Sequence, residues 1–110
     1  PEKAEAILGL LEPLWARCLC LGIDVVLDYG FWARMERDQV RGIVGQLGAS
    51  ACLYRLHCSD EEARRRIEAR NRSGDRSLYI APETYDALRS RFEPLDHDEA
   101  CVEADLRTLR

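Results

Sequence analysis

Residues 22–41 read GIDVVLDYGFWARMERDQVR, and how this stretch folds decides the architecture of the chain. It opens at Gly22, passes through a run at 23–27 that is apolar except for Asp24, and reaches Asp28. A polar-aromatic loop at 29–32 follows, and then a helical pattern that opens with Arg34 and Arg37. An apolar run rich in β-branched residues and followed by a helix reads as a buried parallel strand over 23–28. In open α/β sheets the ligand crevice lies beyond the carboxyl ends of the strands, and Asp28 stands at such an end. Residues three apart on a helix lie on neighbouring positions, so Arg34 and Arg37 are expected to face the crevice together. An acid and two guanidinium groups at a crevice mouth suit magnesium and phosphate.

Upstream, residues 4–21 carry Ile7, Leu10, Leu11, Leu14, Trp15, Cys18 and Leu21 at spacings of three and four, a helical pattern. Pro13 removes a backbone donor, so the expectation is a short first helix and a second one with Pro13 in its first turn, ended by Gly22. Downstream, a helix is expected over 33–47, with Met35, Val40, Ile43, Val44 and Leu47 facing the sheet and Gly48 closing it. Residues 51–57, ACLYRLH, read as a second strand, which makes strand, helix, strand a βαβ unit. Ser59 stands three residues before Glu62, a capping-box signature, and predicts a helix from there to about Asn71. A polar loop at 72–80 contains Gly74, and Pro82 then opens a helix that ends near Phe92. The tail holds an acidic patch, Asp96, Asp98 and Glu99, and a short edge strand over 101–105.

A chain of 110 residues is one domain at most, here taken as a single α/β domain over 1–110 with a short parallel sheet. With 46% hydrophobic and 33% charged residues it is neither disordered nor membrane-spanning in composition. No apolar run approaches the roughly 20 residues that a spanning helix needs, and residues 1–13 lack the form of a signal peptide. A net charge of -4 gives no broad footprint for nucleic acid. Five cysteines with no CxxC pair, beside two histidines, give little support to a zinc site; small buried residues in a reducing cytoplasm are the plainer reading. All but one of the 16 basic residues are arginine, the better fork for phosphate.

Each candidate has an ordinary alternative. Asp28 either serves chemistry or caps a turn, and Arg34 and Arg37 either meet a ligand or pair with Glu36 and Asp38 on a solvated face. Arg64, Arg65, Arg66 and Arg70 lie among Glu61, Glu62 and Glu68, in part at the favourable i,i+4 order of a salt-bridged surface helix. Yet Arg66 and Arg70 share a face, and Arg72 and Arg76 follow in a glycine-containing loop. Such a clustering suits a lid that closes arginines onto a transferring phosphoryl group.

The segment LDYGFWARMERDQVR, a following strand, RRRIEARNRSGDR and then RFEP together resemble the C-terminal part of the AAA-type P-loop kinases, akin to the chloramphenicol phosphotransferase and zeta-toxin groups. The resemblance covers roughly residues 10–100, and its most specific piece is Leu27, Asp28, Gly30, Trp32, Arg34 and Arg37. It implies a partial P-loop NTPase-like three-layer sandwich and an ATP-dependent phosphotransferase acting on small-molecule hydroxyls. By that resemblance Asp28 is the catalytic or magnesium-facing acid, Arg34 and Arg37 contact substrate or phosphate, and Arg66 and Arg70 are lid arginines that approach ATP. The RFEP element, residues 91–94, recurs in the resemblance without a mechanism attached to it.

Such kinases begin with a strand and the phosphate-cradling loop G-x-x-x-x-G-K-[ST]. Nothing in the 110 residues matches it, and the single lysine is Lys3. The expectation is therefore the C-terminal portion of a longer kinase, with ATP and Mg2+ binding only when an upstream segment of roughly 30 residues or more is present. Alone, the chain is expected to be inactive. The competing class is a non-catalytic α/β remnant that dimerises through an exposed sheet edge or binds a protein partner. RNA binding through residues 64–76 is a third class, disfavoured by the acidic balance.

Overall fold

The computed structural model describes residues 2–74 and 78–105. Among them the elements run α1 (Glu2–Cys20), α2 (Arg34–Gln46), β1 (Tyr54–His57), α3 (Asp60–Arg72), α4 (Pro82–Arg91) and β2 (Val102–Asp105). They fall into two compact units, Pro1–Ala51 and Cys52–Arg110.

In the first unit α1 is one continuous helix with Pro13 inside it, not the two helices expected from the proline. The bond that Pro13 cannot make is the one to the Gly9 carbonyl. Both residues are exposed, so water can take that acceptor. Trp15 is the buried residue of α1, while Ile7, Leu10 and Leu14 are exposed. The two glycines named as helix ends perform that role by the same device. Gly22 has φ 75° and Gly48 φ 71°. The Ile23 amide donates to the Cys18 carbonyl at 2.9 Å and the Gly22 amide to that of Leu19 at 3.0 Å; Ala49 and Gly48 repeat the pattern onto Val44 and Gly45, each at 3.1 Å. These are Schellman closures, which satisfy the last carbonyls of each helix and need a left-handed residue.

The expected strand over 23–28 is not a strand in this structure. Its backbone is in no ladder among the described residues, and Val26 is 92% exposed. The apolar pattern is that of a strand, but a strand forms only against a neighbour. The βαβ unit expected over 23–57 is accordingly not formed. On α2, Val44 is buried and Val40, Ile43 and Leu47 are half-buried as the stripe predicts, whereas Met35 is exposed.

The parallel pairing lies in the second unit. There β1 pairs with β2 in the register Tyr54 to Val102 and His57 to Asp105. The Val102 amide donates to the Leu53 carbonyl at 2.8 Å where the ladder begins. An ion pair at 3.5 Å joins Arg55 to Glu103, directly opposite in that register. β1 is shorter than the expected 51–57, and β2 fulfils the short strand expected over 101–105. The crossover between them carries α3 and α4. Tyr54, Leu56 and Val102 alternate onto one face of the pair, and all three are exposed. The described sheet has these two strands.

Ser59 caps α3: its hydroxyl oxygen accepts from the Glu62 amide at 3.2 Å. At α4, Pro82 occupies the first turn, where its missing donor costs nothing. Replacing Ser59 by alanine is expected to lower stability by about 1 kcal/mol, and by glycine only a few tenths, as read by urea unfolding; equal losses would show that the hydroxyl contributes nothing.

Candidate functional site

Asp28, at the end of the unpaired segment, is exposed and makes no hydrogen bond or ion pair among the described residues. It leads into a loop at 29–32 with an unusual backbone. Phe31 has φ 46°, a left-handed value for a residue with a bulky side chain. A conformation of this kind costs on the order of 1–3 kcal/mol and persists only where the surroundings hold it. The Arg37 guanidinium is the visible hold. It donates from Nη1 to the Phe31 carbonyl at 2.9 Å, and Arg37 is only 3% exposed. A hydrogen bond from a charged donor contributes roughly 1.5–3 kcal/mol, the size of the strain it opposes. The ring of Phe31 lies 5.5 Å from that of Tyr29, tilted by 45°. Gly30 is required by space: a Cβ there would sit 2.6 Å from Cδ1 and 2.8 Å from Cε2 of the Trp32 indole.

Helix α2 begins immediately after this loop, with the Ala33 amide donating to Glu36 at 3.3 Å. Arg34 and Arg37, expected to face a crevice together, bond to different groups. Arg34 donates through Nε to both oxygens of Asp38, at 3.1 and 3.0 Å, and Arg41 reaches the same carboxylate at 2.7 Å. The i,i+4 partner captures Arg34 on the half-exposed side, the ordinary alternative raised by the sequence. The bonds from Arg41 and Arg34 hold the Asp38 carboxyl below its usual range. Arg37 instead continues the stripe of Val40 and Val44, at spacings of three and four, and is buried with it. That spacing was readable beforehand; the charge disguised it.

The arginine-rich helix is in the second unit. Glu62 accepts from Arg65 at 2.8 and 2.6 Å and from Arg66 at 2.7 Å. Its carboxyl is pushed down to about 2 by these bonds, Arg65 first. Arg66 is thus engaged on its own helix, while the exposed Arg70 has no ion-pair partner among the described residues. Arg72 pairs with Glu68 at 3.2 Å. Arg76, the last of the expected lid arginines, lies outside the described residues.

Sequence reasoning overlooked what joins α3 to α4. Tyr85 donates its hydroxyl to Asp60 at 2.6 Å and Arg89 adds a bond at 3.2 Å, which together keep the Asp60 carboxyl below its usual range. Arg64 pairs with Asp86 and stacks its guanidinium 4.9 Å from the Tyr85 ring. Asn71 uses its side-chain amide as a backbone substitute: Nδ2 donates to the Ile80 carbonyl at 2.7 Å, and Oδ1 accepts from the Ile80 amide at 3.1 Å. This closes the loop between the helices at its base. Arg64, Ile67, Asn71, Pro82 and Tyr85 line a small open cleft between them. Glu99, read as part of an acidic patch, is 7% exposed.

Among the described residues no three His, Cys, Asp or Glu side chains come together as a metal site, and no helix is long and apolar enough to cross a membrane. The 110 residues contain no match to G-x-x-x-x-G-K-[ST], and Asp28 brings one carboxylate. Residues 1–95 match the family model of the AAA domain, and the chain belongs to that family, whose members are P-loop, nucleotide-binding and kinase-like. Among curated proteins and among solved structures nothing matches.

Two outcomes check this geometry. In Gly30→Ala the added methyl group must drive the Trp32 ring away, so tryptophan emission should shift to the red; an unchanged spectrum would mean the loop absorbs the group. The second concerns acid. Glu62 has its folded pKa lowered from 4.5 to about 2, so its contribution is complete above pH 4.5 and is lost as pH falls through about 2. Helical circular dichroism of the wild type should therefore decline over that window, and the difference between wild type and Glu62→Gln should close within it.

Proposed function

We propose that this chain is the C-terminal portion of an ATP-dependent phosphotransferase of small-molecule hydroxyls, a single α/β domain of the three-layer P-loop type when complete. The observation that carries the reading is Asp28: an exposed carboxylate at the carboxyl end of a strand-like segment, entering a braced loop, inside the region matched by the family. Residues 23–28 lend further support, because their pattern is that of a central strand and among the described residues they join no ladder. A strand bearing the G-x-x-x-x-G-K-[ST] loop, encoded upstream, would supply both that neighbour and the phosphate cradle.

Within such a protein, Asp28 would take the proton of the acceptor hydroxyl as its oxygen attacks. Arg34 would neutralise charge on substrate or phosphate by leaving Asp38, and Arg66 by leaving Glu62. Arg70 is already exposed at the end of α3. Magnesium would enter with ATP and the upstream loop, neutralising phosphate charge, and this chain offers it Asp28 at most. The five cysteines are free thiols, but none is buried as expected from the sequence: Cys20 and Cys52 are exposed and Cys18, Cys58 and Cys101 half-buried; a cytoplasmic location remains part of the proposal.

The test begins with the mass of the protein purified from its natural source. The reading expects a mass several kilodaltons above 12.6 kDa and magnesium-dependent consumption of ATP. In that protein Asp28→Asn should lower kcat by roughly 10²–10⁴-fold while ATP binding is retained. A native mass of 12.6 kDa would sink the reading in favour of a non-catalytic module. Concentration-dependent dimerisation would then point to self-association through the exposed apolar residues Ile23 and Val26.

A further inference from the structure

We propose that Arg37 is a positioning residue for the loop at 29–32, and not a ligand for substrate or phosphate. Three features of the structure converge on this role. First, the side chain is only 3% exposed, so a phosphate dianion cannot reach its guanidinium without displacing the groups that cover it. Second, the group that receives one of its bonds is the carbonyl of Phe31, the residue with the left-handed backbone. Third, within the same loop the Trp32 indole occupies the space that a side chain at position 30 would need, so Gly30 and Trp32 are packed against each other.

The consequence falls on Asp28, three residues ahead of Phe31. A loop free to relax toward ordinary φ values would carry the carboxylate through a range of orientations. With Phe31 held, Asp28 leaves the unpaired segment in one direction. Arginine suits the task because its planar fork can hold the carbonyl while its remaining donors are satisfied elsewhere. A lysine of the same charge presents one rotating ammonium group in place of the fork. In a phosphotransferase the device would set the direction of proton transfer without touching the reacting atoms.

The proposal rests on the phosphotransferase reading only for what the loop presents. Its test contains no nucleotide, so either can fail while the other stands. Trp15 and Trp32 are the two tryptophans of the chain. Labelled with fluorotryptophan, the 110-residue protein gives two fluorine resonances, assigned with Trp32→Phe. In Arg37→Met the Trp32 resonance should move and that of Trp15 stay in place; an unmoved Trp32 resonance in the folded variant would overturn the role. Should Arg37→Met unfold, both resonances reach unfolded positions and Arg37→Lys decides. A smaller displacement of Trp32 alone supports the role, and none overturns it. Sodium phosphate added to the wild type should leave Trp32 unmoved. A phosphate-dependent shift that Arg37→Lys abolishes would make Arg37 a phosphate ligand and end the proposal.

Discussion

A β-strand is stable only where its backbone donors and acceptors find a neighbour, and that requirement sorts this chain. Residues 54–57 and 102–105 satisfy each other in a parallel ladder. Everything between them, two helices and their loop, is thereby a crossover with both ends fixed. Residues 23–28 have the more strand-like sequence and no strand partner among the described residues. Composition alone would rank the two segments the other way. Pairing outranks propensity here because a strand's stability comes from cross-strand contacts, and an isolated extended run exposes its backbone to water.

The arginines obey a similar rule of partners. Asp38 gathers Arg34 and Arg41, Glu62 gathers Arg65 and Arg66, and Asp60 is bound by Tyr85 and Arg89. These pairs are exposed, where an ion pair contributes little to stability and exchanges readily. Arg37 differs in kind. Its guanidinium is out of water, so its hydrogen bonds carry the whole burden of the lost hydration. Three arginines within one helix thus do two jobs: Arg34 and Arg41 hold an exchangeable carboxylate, and Arg37 holds the backbone.

Much of the local structure was legible in the sequence. Gly22 and Gly48 announce their helix ends, Ser59 announces a start, and Pro82 another, because each carries a specific backbone requirement that a single residue type meets. The failures share a cause. Pro13 was read as a break, but a proline on the exposed side of a long helix loses one bond that water can replace. The 23–28 strand failed because a sequence pattern records a preference, not the presence of a neighbour. At the candidate site, the loop that follows Asp28 was legible in the sequence, and the different partners of Arg34 and Arg37 were not. Periodicity places 37, 40 and 44 on one face, and habit assigns a charged residue to solvent. The Asn71 clamp and the Asp60–Tyr85 bond were illegible for a different reason: they join residues 9 and 25 positions apart, and nothing in a single sequence pairs them.

The brace on the loop is local, and that has a bearing on how the site could be assembled. Arg37 and Phe31 are six residues apart, and Gly30 and Trp32 are two apart, so these two contacts around the loop are made within the first turn of α2 and the loop itself. They do not need the ladder that residues 23–28 lack. Charge neutralisation is a separate matter: in the proposed phosphotransferase Arg34 and Arg66 would exchange a carboxylate for a phosphate, one anion for another at the surface. The contact between Arg37 and the Phe31 carbonyl thus lies within the short continuous stretch 28–37, while Arg34 and Arg66 sit in ion pairs at the surface.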